Sequence, residues 1–109
     1  MIKITDRIAE EPEKFKVDIS DRIDLKYSEG EKFINLGWEI KDLNKFRFRK
    51  DIIHVAIDPD IKWQPYDGIV TNNEKLLIAN NIRAALTFLG LKNEVHILKF
   101  EKDGTVTGW

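Results

Sequence analysis

Two histidines, His54 and His96, and the carboxylates of Asp58-Pro59-Asp60 are the side chains of this sequence best suited to chemistry. An imidazole titrates near neutral pH and ligates transition metals, so either ring could act as a base or a ligand if a carboxylate or second ligand stood beside it. The sequence places no such neighbour, and the two rings read as ordinary histidines of separate strands. Asp58 and Asp60 could offer oxygens to Mg²⁺ or Ca²⁺. Asp and Pro equally favour turns, and with only Gly68 near and no loop-closing Glu the pattern is no EF-hand. Glu10, Glu11 and Glu13 around Pro12 read as a solvated loop. Nineteen acids give many chance carboxylate pairs, so glycosidase-like chemistry has no support. The chain therefore reads as a non-enzyme, with no catalytic residue, metal ligand or cofactor assigned.

Binding is better supplied than catalysis. Trp63 and Tyr66 flank Pro65 within a stretch that carries Asp58, Asp60 and Asp67. Rigid amphipathic rings in negative potential suit an interface anchor with electrostatic steering. Trp63 could equally plug the end of the core, whereas Tyr66 and the Asp residues should stay near solvent. Just before this stretch, Lys45, Arg47, Arg49 and Lys50 form a basic patch of opposite sign.

The elements that must carry these residues are legible from periodicity. Phe15, Val17 and Ile19, then Ile23, Leu25 and Tyr27, alternate with polar residues as in half-buried strands. Ile34, Leu36, Trp38 and Ile40 share one face of a third run, Phe46 and Phe48 mark another, and Asp51 to Asp58 follows, which predicts an antiparallel meander. Thr71-x-x-Glu74 is the spacing of a capping box and opens a helix over about 72–89. Its apolar stripe is Ile78, Ile82, Ala85, Leu86 and Leu89, flanked by Leu77, Ala84 and Phe88, with Leu76 on the polar side and Gly90 as an αL cap. Residues 94–100 and 105–109 read as a terminal β-hairpin. The expectation is an α+β fold, an antiparallel sheet of six to eight short strands against one long helix, in a single domain spanning 1–109. Ile34, Leu36, Trp38, Ile53, Val55, Ile57, Ile78, Ile82, Leu86 and Val95 should form the core.

Composition excludes several classes. Eighteen basic against nineteen acidic residues give a formal net charge of −1, without the basic excess that releases counterions from phosphate, so no nucleic-acid partner is expected. The absence of cysteine removes disulfides, thiolate metal sites and a thiol nucleophile. No apolar run reaches the length of a signal peptide or a spanning helix, so no membrane is expected and the reading is cytoplasmic.

One stretch resembles a known family. Asp60-Ile61-x-Trp63-x-Pro65, then Asp67 and Ile69, then Glu74-Lys75-x-x-Ile78-x-x-x-Ile82-x-x-Ala85-Leu86-x-x-x-Gly90 and Glu94-Val95 is similar to the immunity protein 74 family of bacterial polymorphic toxin systems. The similarity covers about residues 51–98. It implies a small protein that binds a cognate toxin C-terminal domain, a nuclease being one candidate, and blocks its active site or substrate access. Asp58, Asp60, Trp63, Tyr66 and Asp67 are the expected contact residues. Two other classes stay open: an accessory or assembly subunit that pairs through sheet edges, and a small ligand-binding domain with His54, His96 and Asp58 to Asp60 around a pocket.

Overall fold

The computed structural model describes residues 1–41, 52–100 and 106–107. The fold is α+β. Strands β1 (Ile2–Thr5), β2 (Ile8–Glu11), β3 (Phe15–Asp18), β4 (Asp24–Glu29), β5 (Lys32–Lys41) and β6 (Ile52–Ile57) follow one another as neighbours, each antiparallel to the last. A short hairpin, β7 (Lys62–Trp63) and β8 (Gly68–Ile69), leads into helix α1 (Asn72–Phe88). Strand β9 (Asn93–Ile97) then joins the outer edge of β6, completing a seven-stranded sheet in the order β1-β2-β3-β4-β5-β6-β9.

That last pairing corrects the expectation of an all-antiparallel sheet. β9 runs parallel to β6, in register from Ile53↔Asn93 to Ile57↔Ile97. Parallel neighbours need a crossover, and the helix is that crossover. Consequently β9 is not an arm of the terminal hairpin. The closing antiparallel pair is shorter, β10 (Lys99–Phe100) with β11 (Val106–Thr107). The run containing Phe46 and Phe48, and the basic patch of Lys45, Arg47, Arg49 and Lys50, lie outside the described residues.

The helix forms where its caps dictate. Thr71 Oγ1 accepts from the Glu74 amide at 3.2 Å while Glu74 Oε1 accepts from the Thr71 amide at 3.0 Å, so two amides without intrahelical partners are satisfied reciprocally. At the other end Gly90 takes φ +79°. Its amide bonds the Thr87 carbonyl at 3.0 Å and the Leu91 amide bonds the Leu86 carbonyl at 2.9 Å, closing the helix through a left-handed residue.

Nine of the ten expected core residues are buried; Trp38 is half-buried against the cluster. The helix face is narrower than its projection suggested. Ile78, Ala79, Ile82, Ala85 and Leu86 are buried, whereas Leu77 and Phe88 are about half exposed. Lys75 is also buried, because its stem lies inward while its ammonium reaches the Pro59 carbonyl at 2.7 Å. The helix packs on β9 and reaches β2 and β3 near the far edge of the sheet. Arg83, on its outer side, donates to the Val95 carbonyl at 3.0 Å on the edge strand. Ile23 falls before β4 rather than within it and is exposed. No helix among the described residues is long and apolar enough to cross a membrane.

Candidate functional site

The aromatic, acidic stretch folds as a braced platform. Lys62 pairs with Ile69 and Trp63 with Gly68, so the two members of each pair share a face of the hairpin. Trp63 turns inward and is only 3% exposed. Its indole N–H donates to Glu74 Oε2 at 3.1 Å, its ring lies beside that of Tyr27 with centroids 6.2 Å apart, and the Lys32 ammonium sits 4.3 Å from its centroid. Trp63 is therefore a core plug, which corrects its assignment as a contact residue. Glu74 is likewise committed to the helix cap and to Trp63. The N–H of Thr71 bonded to its carboxylate is the chief cause that holds its pKa below the ordinary range; the Trp63 N–H adds to this.

The other members of the predicted set are surface residues, as expected. Asp58, Asp60, Tyr66 and Asp67 are all exposed. Tyr66, in the turn, has 63% of its surface accessible, and Ile69, outside the predicted set, reaches 78%. The Tyr66 ring rests over Gly68, where a Cβ would lie 3.5 Å from it, an ordinary van der Waals contact. Asp67 holds φ +53°, a left-handed conformation that Asp tolerates better than most residues, and its Oδ1 accepts from Gln64 Nε2 at 3.1 Å. Gln64 in turn exchanges two backbone bonds with Phe33 on β5, of 3.0 and 2.7 Å. With Lys75 gripping Pro59, the segment is tied to the sheet, to the helix and to the core.

A second cluster joins the two histidines. They read as ordinary residues of separate strands, with a shared pocket only as an open alternative, and the parallel β6–β9 pairing brings them together with Glu94, a residue outside that alternative. His54 stands opposite Glu94 in the ladder, and His96 follows two residues later on the same face, the one turned away from the helix. His54 Nδ1 lies 3.0 Å from His96 Nε2 and 3.3 Å from Glu94 Oε2, and His96 Nε2 is 3.7 Å from that same oxygen. The ring planes differ by 11° with centroids 5.2 Å apart, nearly the longest separation that a 3.0 Å nitrogen contact permits. The rings therefore meet end to end. One nitrogen carries a proton and the other accepts it. Asp58 and Asp60, the two acids expected around such a pocket, are not members of this cluster. The signal available in the sequence was Glu94-x-His96, whose spacing puts both side chains on one face of a strand.

No family model, no curated protein and no solved structure matches this chain.

Proposed function

We propose that this chain is an immunity protein, which acts by docking rather than by catalysis: the 58–69 platform binds the toxin domain of a bacterial polymorphic toxin system and blocks its active site or access to substrate. The observation that carries the reading is that one short segment, braced on three sides, exposes two large apolar side chains, Tyr66 over its Gly68 face and Ile69 on the other. Exposed apolar groups on a mobile loop would pay for ordering at the moment of binding; on a braced hairpin that cost is already met in the folded protein. Within the segment Asp58, Asp60 and Asp67 are exposed against Lys62, with Lys32 of β5 beside it over Trp63, which leaves a modest negative balance suited to a basic partner surface. A nuclease cleft is such a surface, and these three carboxylates would stand where substrate phosphates stand.

The reading, which requires a toxin gene beside this one, is tested by stopped-flow association with the C-terminal domain that such a neighbour encodes. Tyr66→Ala should weaken binding about 30-fold, the effect of losing an aromatic anchor worth about 2 kcal/mol. Raising salt from about 0.01 to about 1 M shortens the screening length from about 30 to about 3 Å and should slow association markedly. A rate indifferent to salt would remove the electrostatic part of the proposal, and an unchanged affinity in Tyr66→Ala would remove the anchor.

A further inference from the structure

We propose that His54, Glu94 and His96 form a site for a divalent transition-metal ion of the zinc class, clamping the edge strand β9 to β6. The donor set is chemically suited to it: two imidazole nitrogens and one carboxylate oxygen fit zinc and its neighbours, whereas Mg²⁺ and Ca²⁺ prefer all-oxygen shells.

The spacing of the three donor atoms, though not yet the tilt of the rings, is close to that of a loaded site. Zinc bonds of about 2.0–2.1 Å in a tetrahedron set its ligand atoms roughly 3.3–3.4 Å apart. The three atoms here are 3.0, 3.3 and 3.7 Å apart. A point about 2.05 Å from all three exists, roughly 0.6 Å above their plane, against roughly 0.7 Å in an ideal tetrahedron. Metal entry requires the two rings to tilt out of their end-to-end contact and the shared hydrogen bond to be given up. Three protein donors leave a fourth position for water.

The surroundings support a built site rather than a chance approach of side chains. His54 is nearly inaccessible, with 4% of its side chain exposed, His96 keeps 19%, and Glu94 keeps 51%. The site is thus enclosed at one end and reached from the Glu94 side. Backbone ladders fix the donors: His54 faces Glu94 directly, and His96 faces Ala56, whose own partner across the sheet is Gly37. On the other flank, Glu39 is the register partner of His54, so a second carboxylate belongs to the same row of the same face. This inference rests on the sheet alone and stands or falls independently of the docking reading.

The test uses the untagged full chain, freed of metal by chelator and titrated with zinc against a chromophoric competitor, with cobalt(II) as a spectroscopic probe. One equivalent of zinc should bind, and cobalt should develop the strong visible absorption of a tetrahedral site. His96→Ala and Glu94→Gln, both at partly exposed positions, should each lower zinc affinity at least tenfold while the apo proteins melt as cooperatively as wild type. Magnesium should not compete. Absence of one-equivalent binding in the wild type, or equal binding in both variants, would overturn the proposal.

Discussion

Replacing Glu74 by Ala removes a side chain that serves both the helix cap and the platform. Its carboxylate accepts from the Thr71 amide and from the Trp63 indole, 3.0 and 3.1 Å away. Losing the reciprocal half of a capping box costs up to about 1 kcal/mol. The indole N–H of a nearly buried Trp63 is then left without its acceptor, which costs about 1–3 kcal/mol when water reaches it poorly. We expect a loss of about 1.5–3 kcal/mol, which at a urea m-value of about 1.5 kcal/mol per M lowers the midpoint by roughly 1–2 M. A double-mutant cycle with Trp63→Phe isolates the indole bond and should give a coupling of about 1 kcal/mol. The acid limb supplies a sign check. Because Glu74's folded-state pKa is depressed, its contribution is complete above the ordinary glutamate range and disappears as pH falls through the lower folded value. Glu74→Gln should therefore trail the wild type at neutral pH and converge with it in acid. A loss below about 0.5 kcal/mol for Glu74→Ala, as at an ordinary surface site, or strict additivity with Trp63→Phe, would refute the account of how the platform is held.

Other expectations follow from single residues. Ile82 is fully buried on the helix stripe, so Ile82→Ala should cost about 2–5 kcal/mol in urea unfolding, and a loss below about 1 kcal/mol would overturn the assigned face. Gly90→Ala places a Cβ on a residue at φ +79° with open space around it, so strain alone should cost about 1 kcal/mol, and a stability-neutral result would contradict the left-handed cap. The Tyr27 phenol is buried, donates to the Glu29 carboxylate and accepts from Asn81 Nδ2 at 2.9 Å. Tyr27→Phe should cost about 1–3 kcal/mol by stranding those partners. Burial, the chief cause, pushes this phenol above the ordinary tyrosine range, so alkaline difference spectroscopy should show it ionising only as the protein unfolds.

Local features were legible in the sequence, and partner choice was not. The alternation of Phe15, Val17 and Ile19 and the Thr71-x-x-Glu74 spacing are decided within a few residues, and the strands and the helix start stand where they indicate. The pairing of β9 with β6 is decided by the crossover helix and the sheet edge, so the meeting of His54 with Glu94 and His96 had no local signature beyond the i, i+2 spacing on β9. The direction of Trp63 was ambiguous because an indole suits an interface and a core equally. What resolves it is the hairpin register that sets Trp63 against Gly68 on one face and exposes Lys62 and Ile69 on the other. The buried face of the helix is narrower than its apolar projection because the sheet covers only part of it, and the burial of Lys75 depends on a carbonyl sixteen residues away, beyond the reach of helical periodicity.

The most direct test of the docking account is growth rescue. If a toxin domain is encoded beside this gene, as the proposal requires, cells expressing it should survive when they also carry this chain and should die with Tyr66→Ala combined with Ile69→Asp, two exposed changes expected to leave the melting temperature unaltered. Survival with the double variant, or death with the intact chain, would contradict the claim that this platform neutralises a toxin.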